Sequence, residues 1–423
     1  MNQKLESDEE KYVVASQVKE LFERLLSTLE VKQGLDFLQE DNDRTTEEQI
    51  ELTAIEAPTF KEETRGAYYK KRLEELGIKD ITTDEVGNVF GVRAGTGDGP
   101  SLVVCAHLDT VFPAGTNTVA QRRDGKIYAP GISDDGRGLA VVLSLVRALN
   151  HAGIRTKGDL IIGATVGEEG LGDLRGVKGL FGSRNDIDGF ISVEPGEPDR
   201  ITYLATGSKR YKITFKGPGG HSFGDFGTPS PIHALGRAIA KIADLKTPDN
   251  PKTTFNVGLI HGGTSVNTIA EAGEMVLDLR STSQEELLKL EEEALAIIRN
   301  AAEEENARWD QAGAITVETE QVGDRPAGSQ DPESVIVQAA AGATSAIGFD
   351  PVLEGASSTD SNIPIHLGIP AVTLGGGGDF GGCHTLDEYY DPTDAHLGAQ
   401  KVFLTILGLV GLEDVTEPLL SKR

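Results

Sequence analysis

The sequence predicts an α/β protein in which a mixed sheet is flanked by helices and a separate α+β domain is inserted. Short apolar runs alternate with helical stretches up to about residue 206, and the same pattern resumes after residue 325. Between these points, strand-like stretches surround two long helical ones. A chain of 423 residues is also longer than a single hydrophobic core usually accommodates, which predicts more than one domain. We therefore expect a first domain formed by residues 1–206 and 326–423, and an inserted domain formed by residues 207–325.

The first segment begins with helices and continues as strands and helices. Apolar residues recur at three- and four-residue spacing in EEKYVVASQVKELFERLLSTLEV and ETRGAYYKKRLEELGI, which predicts an N-terminal helical extension to about Gly77. Strands are predicted at SLVVCAH, DLIIGATVG and GFISVEPG, with a helix at GLAVVLSLVRALNHAG. This order is typical of a sheet flanked by helices.

The inserted domain and the closing segment follow the same logic. Strands are predicted at RYKITFKG, KTTFNVGLI and GEMVLDLRST, with helices at SPIHALGRAIAKIADL and QEELLKLEEEALAIIRNAAEEENARW. The closing segment is predicted to contain a helix at SVIVQAAAGATSAIG, a strand at PAVTLGGGG and a last helix at DAHLGAQKVFLTILGLVG.

The charge and the terminal sequences exclude several kinds of partner. There are 40 Lys and Arg against 67 Asp and Glu, a formal net charge of -27, which repels nucleic acid and anionic lipid. The start MNQKLESDEEKYVV lacks the basic residues and apolar stretch of a signal peptide. The run VFLTILGLVGL has roughly half the length of a membrane span. We expect a cytoplasmic protein that binds neither nucleic acid nor membranes.

Candidate site residues stand just after the apolar strands of the first domain. SLVVCA leads to His107 and Asp109, DLIIGATVG to Glu168 and Glu169, GFISV to Glu194, and AVTL through a glycine-rich loop to His384. Asp134 stands where the next helix is predicted to begin. Sites in open α/β sheets form beyond the carboxyl ends of the strands, so these groups should converge. Imidazole and carboxylate ligands suit zinc, or less tightly cobalt or manganese, and we expect two such ions.

Each of these residues also has an ordinary explanation. Glu168 and Glu169 could form a solvated acidic turn, Asp134 could cap the helix, and His384 could be a loop residue. Their shared position at strand ends favours the metal site, because independent surface residues need not all occupy that position.

Taken together, these motifs resemble the zinc exopeptidase family that contains peptidase T, glutamate carboxypeptidase, aminoacylase and succinyl-diaminopimelate desuccinylase. The resemblance covers nearly the whole chain from about Ile55 and implies a zinc-peptidase-like catalytic domain with an inserted lid and dimerisation domain. It implies that His107, Asp134 and Glu194 hold one zinc ion. The other ion is then held by Asp134, Glu169 and His384, with Asp134 as the bridge.

The same resemblance assigns roles around the ligands. Asp109 corresponds to the carboxylate that orients His107 through its far ring nitrogen. Glu168 corresponds to the general base, which assists a metal-bound hydroxide and returns the proton to the leaving amine. A cis peptide bond is implied between Asp134 and Asp135.

Two positions depart from the family pattern. The lysine often found shortly after the bridging aspartate is replaced by Gly136-Arg137, and Glu194 stands where several relatives have Asp. Cys105 and Cys383 lie beside proposed ligands, but we expect them to be packing residues rather than thiolate ligands.

The resemblance also assigns residues in the inserted domain. His221 in GPGGHSFGDFG matches a lid histidine that reaches a neighbouring subunit's active site and stabilises the tetrahedral oxyanion. Asn267 and Arg280 match positions that grip a substrate carboxylate. The alternatives are a loop histidine without a role and, for Arg280, a cation on an exposed strand face. A homodimer formed through the inserted domain is therefore expected.

These observations predict a metal-dependent amide hydrolase, an exopeptidase of di- or tripeptidase type that acts on small peptides. One alternative is a deacylase or desuccinylase that acts on N-acyl amino acids at the same site. Another is a non-catalytic binding protein on this fold. The presence of all five proposed ligands and of Glu168 argues against the last alternative.

Overall fold

The chain forms two compact units. The computed structural model describes residues 12–423. A first unit comprises Met1–Leu204 and Ser329–Arg423, and an inserted unit comprises Ala205–Gly328. The inserted unit thus begins two residues before, and ends three residues after, the expected bounds.

The first segment contains six α-helices and eight strands among its described residues. The helices are α1 (Ser16–Ser27), α2 (Leu29–Glu40), α3 (Asn42–Thr53), α4 (Glu63–Glu75), α5 (Gly136–His151) and α6 (Arg175–Ser183). The strands are β1 (Lys79–Thr83), β2 (Val89–Arg93), β3 (Ser101–His107), β4 (Gln121–Arg123), β5 (Lys126–Tyr128), β6 (Asp159–Thr165), β7 (Gly189–Glu194) and β8 (Arg200–Thr202). The predicted first helix starts later than its sequence pattern suggested, and its residues 9–11 lie outside the described residues.

The inserted unit is an antiparallel sheet with two helices. Its helices are α7 (Pro231–Ala243) and α8 (Gln284–Arg308), and its strands are β9 (Gly207–Lys216), β10 (Gly220–His221), β11 (Thr253–Gly262), β12 (Thr268–Ile269), β13 (Ala272–Ser281) and β14 (Thr316–Arg325). Within residues 205–328 the main sheet has the order β11-β13-β9-β14. Buried residues alternate along β13, and Leu277 belongs to the same apolar core as Leu235 of α7 and Ile298 of α8.

The closing segment returns to the first unit. It contains α9 (Val335–Ala346), α10 (Asn362–His366) and α11 (His396–Val410), with strands β15 (Val352–Glu354), β16 (Ala371–Gly375), β17 (Asp379–Gly381) and β18 (Tyr389–Asp391). Within the described residues, β17, β18, β5 and β4 form a small antiparallel sheet in that order.

The central sheet places the ends of four parallel strands at one edge. Its order in the described part of the chain is β1-β2-β6-β3-β7-β16-β8-β15. The inner strands β6, β3, β7 and β16 run parallel to one another. His107 is paired with Thr165, and Glu194 with Gly375, so the carboxyl ends of these strands lie side by side. The predicted fold class, a mixed sheet flanked by helices with an inserted α+β domain, is confirmed.

The N-terminal helices belong to the core of the first unit. Phe22 of α1 and Leu38 of α2 are buried in the same cluster as α5 and α11. Arg147 of α5 is buried and pairs with Asp41 at 2.7 Å and with Glu48 of α3. Because a buried guanidinium requires such partners, these ion pairs fix α3 against α5. Among residues 12–423, no helix is both long and apolar enough to cross a membrane.

Candidate metal centre

His107 ends β3 with its two ring nitrogens in different environments. The Nε2 atom lies 3.0 Å from Asp134 Oδ1 and 3.6 Å from Glu194 Oε2. The Nδ1 atom lies 3.0 Å from the main-chain oxygen of Asp109 and 3.7 Å from its Oδ1. Asp109 is thus the residue at the far nitrogen, as expected, but its nearer contact is the backbone carbonyl. A proton on Nδ1 would leave Nε2 as the nitrogen available to a metal.

His384 approaches the opposite oxygen of the same aspartate. Its Nε2 atom lies 3.1 Å from Asp134 Oδ2 and 3.0 Å from Glu169 Oε1. Asp134 therefore offers Oδ1 to His107 and Oδ2 to His384. This arrangement is the one that a bridging carboxylate between two ions requires.

Three groups of possible ligands lie close together within residues 12–423. Their ligand atoms lie within 4.8 Å of one another in the sets His107, Glu168 and Glu169; His107, Asp135 and Glu194; and Asp134, Glu169 and His384. The second set contains Asp135 where the resemblance places Asp134. Asp135 Oδ2 accepts from His107 N at 3.1 Å, and its Oδ1 accepts from Gly138 N at 2.9 Å. Asp135 therefore caps α5, which leaves Asp134 as the better candidate ligand.

The Asp134–Asp135 peptide bond is cis, as the resemblance implies. The helix-cap alternative for Asp134 is wrong, because the adjacent Asp135 makes the capping bond to Gly138 N.

Asp109 fixes the backbone of the two adjacent glutamates. Its carboxylate is fully buried, and Oδ1 accepts from Glu168 N at 2.9 Å while Oδ2 accepts from Glu169 N at 3.0 Å. Thr59 Oγ1 also donates to Oδ2 at 2.9 Å. Glu168 and Glu169 are both buried and both approach His107, so one carboxylate can bind a metal while the other acts beside it. A solvated acidic turn is excluded by this burial.

The charges of the centre stabilise one another. Burial opposes protonation of His107, but Glu194 and the hydrogen bonds to neighbouring carboxylates raise its pKa well above the ordinary value. Hydrogen bonds to Asp134 and Glu169 raise the pKa of His384 to about 10. Burial opposes ionisation of Asp134, but the two histidines lower its pKa below the ordinary value. Buried carboxylates require nearby positive charge, which divalent ions would supply. The nitrogen and oxygen donors of this group suit zinc, cobalt or manganese.

Glu388 supports Asp134 and was not predicted from the sequence. Its side chain is fully buried, and Oε1 accepts from Ser133 N at 2.9 Å and Asp134 N at 3.0 Å. Its Oε2 accepts from Gly131 N at 2.8 Å, and burial raises the pKa of this carboxyl group. The available signal was an acidic residue four places after His384, but nothing in that spacing shows its burial.

Arg65 was also missed. It is buried, and its guanidinium donates to Ile55 O at 2.8 Å and to Leu108 O at 2.7 Å, so it holds the chain between His107 and Asp109. Burial lowers the pKa of Arg65 to about 10. Its spacing of four and eight residues from the buried Tyr69 and Leu73 could have placed it on the inner face of α4.

The unusual Arg137 and the two cysteines are accounted for by packing. Arg137 is buried and donates to Gly376 O and Ala395 O, both at 2.9 Å. Cys105 is fully buried, and burial raises its pKa well above the ordinary value. Burial also raises the pKa of Cys383 to about 11, and its Sγ lies 3.6 Å from Ser133 Oγ. Neither thiol belongs to the groups of possible ligands found among the described residues.

The three candidate residues of the inserted unit fall at two ends of its sheet. His221 is exposed in β10, which pairs with β12, and Ser222 N donates to Asn267 O at 3.0 Å. Arg280 lies near the end of β13, where its Nε donates to Asp278 Oδ2 at 2.8 Å. At about 3.4 Å per residue, Arg280 lies roughly 27 Å along β13 from Ala272. The structure therefore brings His221 and Asn267 together and leaves Arg280 apart from them.

Comparisons with known proteins agree with the observed fold. Succinyl-diaminopimelate desuccinylase from Xanthomonas oryzae pv. oryzae is 29% identical over 262 residues, which cover 57% of this chain and 69% of that protein. The crystal structure of aminopeptidase PepT from Bacillus cereus matches with a TM-score of 0.69 and 25% identity, and covers 86% of this chain and 98% of that one. The YxeP protein of Bacillus subtilis, described as a dinuclear metal-binding peptidase, matches with a TM-score of 0.65 and 18% identity over 88% and 99% of the two chains.

The sequence profile of one family extends over most of the chain. It matches residues 103–407, a stretch that begins inside β3 and includes every candidate ligand from His107 to His384. This match confirms the resemblance drawn from the strand-end residues. The chain belongs to the hydrolases of peptidase family M20/M25/M40.

Proposed function

We propose that this protein is a metal-dependent exopeptidase that hydrolyses an amide bond in small peptides at a centre of two zinc ions. The observation that carries the proposal is that Asp134 offers one oxygen to each of two histidines while Glu168 lies beside them. Cobalt and manganese are alternative ions for the same donor set.

Five side chains would hold the ions. His107, Asp134 and Glu194 would form one position, and Asp134, Glu169 and His384 the other. Two divalent ions at these positions would polarise the scissile carbonyl and make water acidic enough to lose a proton near neutral pH.

Glu168 is proposed as the general base. Its backbone is fixed by Asp109, and its carboxylate lies with those of the ligand group around His107. It would take a proton from the attacking water and deliver it to the amine that leaves. Because Glu168 is buried, the carboxylate can act in a site from which bulk water is largely excluded.

A peptide is the favoured substrate because the PepT likeness covers more of both chains. The match to that aminopeptidase covers 98% of its chain, whereas the match to the desuccinylase covers 69% of that protein. An N-acyl amino acid is the alternative substrate, since the same centre would serve either amide. A non-catalytic binding protein is disfavoured because the ligand set and Glu168 are all assembled in the first unit.

The inserted unit is proposed to be a lid and a dimerisation domain. His221 would stabilise the oxyanion, while Asn267 and Arg280 would bind a substrate carboxylate. The roughly 27 Å of β13 between Ala272 and Arg280 supports a site completed by two chains, because one substrate end cannot meet both ends of this strand.

The edge of the same sheet supports the homodimer. Strand β11 lies at the edge, and its Leu259 and Ile260 are 56% and 57% exposed. Exposed apolar residues on an unpaired edge favour association with another chain. The cytoplasmic location stays a prediction.

A hydrolysis screen tests the proposal. Purified protein loaded with zinc, cobalt or manganese would be assayed on di- and tripeptides and on N-acyl amino acids, with its metal content measured by elemental analysis. We expect about two ions per chain and turnover of small peptides. The proposal would be contradicted if the protein bound none of these metals after incubation with them. It would also be contradicted if the metal-bound protein hydrolysed none of the amide substrates.

A further inference from the structure

A cavity of about 350 Å³ in the first unit lies beside the candidate metal centre. One wall comes from the segment between Thr116 and Pro130, which leads to Asp134. The other wall contains Leu386, which stands two residues after His384. Neighbouring Cα atoms are about 3.8 Å apart, so the Cα atoms of Leu386 and His384 can be at most about 7.6 Å apart. The cavity therefore adjoins the candidate metal centre.

The cavity contains a guanidinium that is available to a ligand. Arg123 and Gln121 of β4 both line it, as expected for residues on the same face of a strand. Arg123 donates to Gln121 Oε1, and its Cζ atom lies 5.6 Å from the centroid of the Tyr128 ring. Among the described residues, no carboxylate pairs with Arg123. Within residues 12–423, Arg123 is thus a cation without an acidic partner, although the whole chain carries a net charge of -27.

The neighbouring Arg122 differs from Arg123 because it pairs with a carboxylate. Arg122 lies on the opposite face of β4, does not line the cavity, and pairs with Glu47 through Nη2. The two arginines share one strand and similar exposure, but only Arg123 faces the cavity. Arg122 therefore offers a matched control for the loss of a cation from this hairpin.

The remaining walls restrict the ligand. Val119 and Leu386 are 68% and 71% exposed and offer apolar surface, and the Tyr128 ring forms part of the lining. Asp387 also lines the cavity and would repel a carboxylate placed beside it. These groups fit a short aliphatic chain that ends in one carboxylate at Arg123, where a planar guanidinium can make two parallel hydrogen bonds.

We infer that this cavity is the subsite for the acyl side of the substrate and that Arg123 binds a carboxylate carried there. The inference rests on the proposed amide hydrolysis and narrows its substrate class to acyl groups with a terminal carboxylate. Such a carboxylate can come from an acidic residue of a peptide or from a dicarboxylic acyl group on an amino acid.

Paired substrates test the inference. Glu-Ala would be compared with Gln-Ala, and N-succinyl-alanine with N-succinamoyl-alanine, so that each pair differs only in the charge of the terminal group. The ratio of kcat/KM for acid over amide would be measured in the wild type, in Arg123→Gln and in Arg122→Gln. We expect Arg123→Gln to lower the ratio by about tenfold or more, as for loss of a charge-assisted pair, and Arg122→Gln to leave it unchanged.

The outcomes separate this inference from the proposed function. A fall confined to the peptide pair or to the succinyl pair identifies the source of the carboxylate. Acid-to-amide ratios that are equal in the wild type and in Arg123→Gln overturn the subsite. In that case, turnover of Gln-Ala or N-succinamoyl-alanine still supports the proposed hydrolysis.

A binding measurement decides the case in which no substrate is turned over. The same pairs would be titrated by calorimetry into metal-loaded protein carrying Glu168→Gln, with and without Arg123→Gln. Weaker binding of the acids alone in the double variant supports the subsite, and equal binding overturns it. Matching melting temperatures of the single Arg123→Gln protein and the wild type would show that the hairpin remains folded.

Discussion

The buried carboxylate of Glu388 accepts a hydrogen bond from the backbone amide of Asp134 at 3.0 Å. The same side chain accepts from Gly131 N at 2.8 Å and from Ser133 N at 2.9 Å. Glu388 therefore holds the turn that presents the proposed bridging ligand, although it offers no atom to the ligand groups themselves. A carboxylate is suited to this role because it accepts at both oxygens.

Replacement of Glu388 by Gln should weaken metal binding. Gln would replace one carboxylate oxygen by an NH2 group, which cannot accept a hydrogen bond from the backbone N–H groups that now donate to it. The turn would shift, and Asp134 would move with it. Loss of such a supporting contact typically weakens metal affinity by about 10- to 100-fold. Competition with a chromogenic chelator would measure the dissociation constant, and the absorption spectrum of the cobalt-loaded protein would report the changed geometry.

Glu56→Gln provides the control for Glu388→Gln. Glu56 accepts from Gly115 N at 2.9 Å, and its contact is exposed. We expect this substitution to leave the metal affinity and the cobalt spectrum unchanged. Equal metal affinity in Glu388→Gln and the wild type would show that Glu388 does not position Asp134.

Glu168 and Glu169 should respond differently to the same substitution. Glu168→Gln should retain metal and lose most of the activity, because a general base is needed for turnover rather than for coordination. Glu169→Gln should lose metal from one position, because its Oε1 lies 3.0 Å from His384 Nε2. Metal content per chain and kcat, measured side by side, separate the two effects. Wild-type turnover in Glu168→Gln would show that the roles are assigned wrongly.

The sequence pointed to the residues of the candidate metal centre more readily than to the residues that support them. His107 and Glu194 could be found because each follows an apolar strand, and the carboxyl ends of parallel strands share an edge. Glu388 and Arg65 are charged residues whose burial depends on contacts with distant segments. Local periodicity carries little information about such contacts, so the supporting residues required the structure.

The missed strands have a similar cause. Half of the residues of strand β14 (Thr316–Arg325) are exposed, and the sequence TVETEQVGDR lacks the apolar alternation that identified β13. Strands β10 and β12 contain two residues each and are too short for any periodicity to be visible. Their pairing nevertheless places His221 beside Asn267, a juxtaposition that only the structure reveals.

A buried lysine should make stability depend on pH. Lys401 of α11 is fully buried and donates to Arg200 O, and burial lowers the pKa of its amine from 10.5 to about 7. The unfolded chain therefore binds more protons than the folded one between these values. Burial of the protonated amine lowers the free energy of unfolding. This loss of stability is fully present below about pH 7 and disappears as the pH approaches 10.5.

The variant Lys401→Met tests this dependence. Between pH 7 and pH 9 the wild type should gain about 2 kcal/mol of unfolding free energy relative to Lys401→Met, since each pKa unit corresponds to about 1.4 kcal/mol. Urea unfolding of both proteins at each pH isolates this contribution, because the other titrating groups are common to both. Parallel stability curves would show that Lys401 keeps its ordinary pKa in the folded protein.

Two inactive variants should restore activity when their subunits are mixed. In the proposed dimer, His221 serves the site of the other chain, so His221→Ala and Glu168→Gln damage different halves of one site. Loss of one oxyanion donor slows turnover by roughly two to three orders of magnitude, and Glu168→Gln lacks the proposed general base, so each parent should be nearly inactive. A mixed dimer has one site with an intact Glu168 from one chain and an intact His221 from the other, and its second site carries both defects. Activity should therefore approach half that of the wild type per mixed dimer. Subunit exchange would be followed with differently labelled chains, and exchange without recovered activity would mean that His221 acts within its own chain or has no catalytic role.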